Sequence, residues 1–69
     1  MRLSARNVLS GKVLEVRKGA TTARVRLELP GGAAIAAAIT NEAVDELGLK
    51  AGDQAYAVVK ASDVMIGKD

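Results

Sequence analysis

The 69-residue sequence contains no cysteine, histidine, tryptophan or phenylalanine. Without cysteine there can be no disulfide and no thiolate metal ligand. Without histidine the commonest metal ligand and the commonest general base at neutral pH are missing. Tyr56 is the one aromatic residue, which leaves almost none of the stacking faces that proteins use to grip single-stranded nucleic acid. No run approaches the roughly 20 apolar residues needed to span a bilayer. Residues 1–7, MRLSARN, lack the apolar core of a secretory signal. Together these absences place the expected chain in the cytoplasm, away from membranes.

What is present is apolar: 49% of the residues, in a chain with little interior to hide them. A domain of this length buries only about 60% of the surface its unfolded chain exposes. Such domains are usually propped by disulfides, a metal or partner subunits. With no cysteine or histidine, part of the apolar surface is expected to be buried between copies of the chain. The formal net charge of +2 suits an anionic partner but is too small to indicate nucleic acid. No linker, repeat or low-complexity tract divides the chain, so residues 1–69 read as a single domain.

The clearest element is residues 22–29, where Ala23, Val25, Leu27 and Leu29 alternate with Thr22, Arg24, Arg26 and Glu28. That period of two belongs to a strand with one wet face, and Pro30, Gly31 and Gly32 end it in a turn. Residues 33–40, AAIAAAIT, are rich in alanine and so ambiguous. Their place between a glycine turn and a helix start argues for a strand whose small side chains permit close packing. Upstream, residues 7–17 hold Val8, Leu9, Val13, Leu14 and Val16, interrupted by Ser10 and Gly11. The apolar register changes sides there, which predicts one long strand bent by a bulge at Gly11. Residues 40–48, TNEAVDELG, predict a two-turn helix with Thr40 or Asn41 as N-cap, Glu42 at the positive end, Val44 and Leu47 inward, and Gly48 as stop. After a turn at residues 50–53, residues 55–60, AYAVVK, read as a strand buried on both faces, and Val64, Met65 and Ile66 as a short fifth strand. The predicted class is all-β: a five-stranded OB-like barrel with one short helix between strands three and four.

Two donor-rich tripeptides stand near opposite ends: Ser4, Ala5 and Arg6, followed by Asn7, and then Lys60, Ala61 and Ser62. If the first and fourth strands meet, in one subunit or across an interface, they offer two hydroxyls, a planar guanidinium and a compact ammonium. The two alanines leave their amides accessible. Such a set suits a tetrahedral oxyanion with no proton of its own to donate, such as sulfate or molybdate. Phosphate usually keeps a proton near neutral pH and would gain from a carboxylate acceptor. Neither tripeptide holds one, although Asp63 is adjacent. Read by residue type alone, the same groups would also serve as solvated strand ends. Lys18 with Gly19, and Thr40 with Asn41, are further anion candidates whose simpler reading is a turn and a helix cap. Nothing resembles a catalytic constellation, so no enzyme is expected.

The segments SARN, LSGKV, KGATTA, AITNEAVDELGLKAGD and VVKASDVMI, at residues 4–7, 9–13, 18–23, 38–53 and 58–66, resemble the molbindin (Mop) family of molybdate-binding proteins. The similarity covers nearly the whole chain and fits the free-standing, single-domain type of this Mop/TOBE-like domain. The resemblance implies an OB-like barrel that exchanges strands in dimers, assembled as a trimer of dimers, a hexamer. It implies molybdate or tungstate held at subunit interfaces for storage or buffering, with no direct protein–metal ligands. Ser4, Ala5, Arg6, Lys60, Ala61 and Ser62 would line one kind of site. A second kind would be sought around residues 18–22 or at Thr40 and Asn41. Two departures stand out: the alanine-rich residues 33–38, and Val8 where a polar residue often follows SARN. The rival readings are a nucleic-acid-binding OB module and a small swapped-hairpin DNA-binding regulator. The second is suggested by LGLKAGDQAYAVV at residues 47–59.

Overall fold

The computed structural model describes all 69 residues. Four strands and one helix follow in the order β1 (Asn7–Lys18), β2 (Thr22–Glu28), β3 (Ala34–Thr40), α1 (Asn41–Leu47) and β4 (Gln54–Val59), after which Ala61–Asp63 form a single 3-10 turn. The sheet is antiparallel throughout, with spatial order β3-β2-β1-β4. The long β1 serves two neighbours: Asn7 to Lys12 pair with β4, and Lys12 to Lys18 pair with β2. Lys12 is the shared rung, opposite both Glu28 and Gln54. The sheet must curl there, and β2 crosses close over β1. A Cβ at Gly11 would lie 2.5 Å from the Glu28 carbonyl oxygen and 2.9 Å from Leu27 Cγ, so only glycine fits.

The predicted change of apolar register occurs, but the bulge lies between Val13 and Glu15, not at Gly11. Leu14 is the extra residue, and because of it Val13 and Val16 both turn toward the core. Gly11 interrupts the sequence for a different reason, the close approach of β2.

The core is thin. Val13, Ala23, Val25, Leu27 and Val44 are buried, with Val16, Leu29, Ile35, Ile39, Leu49, Ala55 and Ala57 packed around them. The alternation along β2 puts Ala23, Val25 and Leu27 inside while Arg24 and Arg26 stay in water. Helix α1 starts where Thr40 leaves helical geometry and its hydroxyl accepts from the Ala43 amide at 3.0 Å. It stops at Gly48, which adopts the left-handed conformation (φ 64°) that residues with a Cβ resist. Of its two predicted inward residues, Val44 is buried and Leu47 is 69% exposed. Leu47, at the helix's last position, lines an apolar trough together with Ile35 and Ile39 and stays open to water.

Two further expectations are corrected. β4 is not buried on both faces: Ala55, Ala57 and Val59 face inward, whereas Tyr56 and Val58 are exposed because no layer of this chain packs on that side. No fifth strand forms either. Val64, Met65 and Ile66 run outside any ladder, with Met65 92% and Ile66 91% exposed. After the 3-10 turn this segment pairs with no strand of the sheet. The result is an OB-like curled sheet of four strands, open between β3 and β4. That opening is an apolar trough of about 550 Å³ between Ile35 and Ile39 on one wall and Ala55, Ala57 and Val59 on the other. No helix is long and apolar enough to cross a membrane.

Candidate functional site

Antiparallel pairing of β1 with β4 brings the two donor tripeptides together. The last rung of the ladder joins Asn7 to Val59. One residue further out, the same register sets Arg6 beside Lys60, so groups more than fifty positions apart in sequence share one end of the sheet. There Ser4, Ala5, Arg6, Lys60, Ala61 and Ser62 line a single open concavity of about 560 Å³. All six residues singled out from the sequence are in its wall.

Backbone geometry leaves this wall rich in donors. In the turn that follows Lys60, the Asp63 amide donates to the Lys60 carbonyl at 2.9 Å and the Val64 amide to the Ala61 carbonyl at 3.3 Å. The amides of Ala61 and Ser62, at the start of that turn, find no acceptor. Before β1 begins, the amides of Ser4 and Ala5 are likewise unused. The hydroxyls of Ser4 and Ser62 make no hydrogen bond. Arg6 and Lys60 join none of the ion pairs, which are Arg17–Glu15, Lys18–Asp45, Arg26–Glu15 and Lys50–Asp53. Two cations, two hydroxyls and several free amides therefore surround one space, and no carboxylate lines it. By residue chemistry this donor set suits an anion rich in acceptor oxygens. No cluster of three or more His, Cys, Asp or Glu side chains could hold a bare cation.

Sequence reasoning missed one lining residue, Val58. The signal was available: Val58 precedes Lys60 by two, and side chains two apart on a strand share a face. An apolar residue carries no chemistry to draw attention, and the strand was expected to be covered on both faces.

The other candidate segments also come together, at the opposite end of β1, but their groups engage one another. Lys18 pairs with Asp45. The Asn41 side-chain amide donates to the Gly19 carbonyl at 2.9 Å, and the Asn41 backbone amide donates to the Thr21 carbonyl at 2.9 Å. The Thr40 hydroxyl is taken by its cap. The Thr21 and Thr22 hydroxyls make no hydrogen bond, and the buried Asn41 Oδ1, an acceptor, has no partner.

The TOBE domain pattern matches residues 3–66 of the chain. Molybdenum-pterin-binding protein 2 of Clostridium pasteurianum is 52% identical over 66 residues, 96% of this chain and 97% of that protein. A molybdate-binding protein from Sporomusa ovata has a structure similar to this one, with a TM-score of 0.92 at 37% identity over 99% of this chain and 100% of its own. The cytoplasmic molybdate-binding protein ModG, solved with molybdate bound, gives a TM-score of 0.91 at 54% identity. That match covers 94% of this chain and 46% of ModG.

Proposed function

Since this chain belongs to the TOBE-domain family, and within it to the molybdenum-pterin-binding (Mop) proteins, we propose that it binds molybdate in the concavity between Ser4–Ala5–Arg6 and Lys60–Ala61–Ser62. The observation that carries the reading is the unneutralised pair Arg6 and Lys60 beside hydroxyls and amides that have no acceptor. Charge-assisted hydrogen bonds from such donors are about twice as strong as neutral ones. A dianion entering the space satisfies several of them at once. With no carboxylate in the wall, an ion that must donate a proton finds only weak hydroxyl acceptors there.

Tungstate, with the same charge and shape, is taken as well. The role is storage or buffering of the oxyanion in the cytoplasm, without catalysis. The working form is a homo-oligomer, a hexamer built as a trimer of dimers. Support for assembly comes from the apolar trough, the exposed Tyr56 and Val58, and the exposed tail at Val64, Met65 and Ile66. Exposed apolar surface of this kind marks places where another protein surface packs.

Titration calorimetry with molybdate, tungstate, sulfate and phosphate tests the reading. Molybdate and tungstate bind and phosphate does not. Heats of dilution alone for molybdate refute it.

A further inference from the structure

Resting on the oxyanion reading of the concavity, we propose that Val58 sets its selectivity, favouring large, weakly hydrated tetrahedral dianions over small ones. Three apolar residues line the space, and two of them are alanines that contribute a single methyl each. Val58 is the one sizeable surface in the wall with nothing to offer an anion. It stands on the outer face of β4, on the same side as Lys60, and is 46% exposed. Its cross-strand partner on β1 is Val8, which lies two residues past Arg6 and so on the side of Arg6. The Arg6 and Lys60 charges thus sit beside a valine pair one step along the same face.

An ion drawn in by the charges must give up water where it meets the isopropyl group. The free energy of removing a charge from water falls as the ion grows, because the same charge is spread over a larger sphere. The donors attract every tetrahedral dianion in similar fashion, whereas the valine wall penalises the small, tightly hydrated sulfate more than molybdate. A surface that rejects a competitor without adding a bond to the favoured ligand is an effective source of specificity.

The test compares the wild-type protein with Val58→Thr and Val58→Ala, measuring molybdate affinity by calorimetry and sulfate affinity by displacement of bound molybdate. Threonine keeps the branched shape and suits a strand while placing a hydroxyl in the wall. Alanine opens room for water. In both variants sulfate gains more than molybdate, because the smaller ion recovers more hydration free energy beside a polar or roomier wall, and the molybdate-to-sulfate affinity ratio falls by about tenfold. A ratio unchanged in both variants, with the wild type binding molybdate, overturns the role of Val58 and leaves the oxyanion reading standing. A wild type that binds neither ion overturns the oxyanion reading and this inference with it.

Discussion

At one end of β1, Lys18 faces Asp45, Asn41 is tied to Gly19 and Thr21, and Thr40 caps its helix. At the other end, the side chains of Arg6, Lys60, Ser4 and Ser62 line one open space and make no hydrogen bond or ion pair. Both ends hold a lysine, hydroxyls, an asparagine nearby and a tight turn, but the first adds the Asp45 carboxylate and the second the Arg6 guanidinium. They differ in whether the donors already have acceptors. Where the lysine and the asparagine amide have internal partners, they fix the helix against the β1–β2 turn. Where partners are missing and the charges share a sign, repulsion and unused donors are tolerable because an outside acceptor can resolve both. Residue type nominates a binding site, and the unfilled hydrogen-bonding capacity is what distinguishes it from a structural joint.

Substitutions at the two ends should therefore separate binding from stability. The largest effect is expected from Lys60→Ala, which weakens molybdate binding by about 10- to 100-fold, the range of one or two charge-assisted hydrogen bonds. Its thermal unfolding without ligand stays unchanged or shifts upward, because a like-charge contact has been relieved. Thr40→Ala should act the other way round: about 1 kcal/mol of stability is lost with the helix cap, read by urea denaturation, while the molybdate isotherm is preserved. The smallest effect is expected from Lys18→Ala. The Lys18–Asp45 pair is solvent-exposed, so its loss shifts stability by no more than ~0.5 kcal/mol, and added salt shrinks that shift further. Loss of molybdate binding in Lys18→Ala would erase the contrast by making the occupied end a binding site too.

Much of this arrangement is legible in the sequence. The alternation over β2 identifies its two faces without ambiguity, and the alanine-rich β3 is recognisable from the glycine turn before it and the Thr40 cap after it. The bulge is displaced by three residues because a switch in apolar parity says that one residue is extra without saying which. Gly11 looks like the culprit when it is there to admit the Glu28 carbonyl. The expected fifth strand and doubly covered β4 fail for one shared reason. Hydrophobicity records that a surface will be covered, whereas strand formation and burial in a single chain depend on what that chain itself brings to the edge. The donor tripeptides stand out by residue type, and their meeting follows once β1 and β4 are paired. Val58 does not stand out, because its contribution to the concavity is a surface that withholds hydrogen bonds.

The most direct test of the central claim is molybdate uptake by the Arg6→Ala/Lys60→Ala double variant, measured by equilibrium dialysis beside sedimentation velocity on the same sample. The account predicts a particle that sediments like the wild type and retains no molybdate at the site. Undiminished uptake by a normally assembled double variant would contradict it and move the ion elsewhere on the protein.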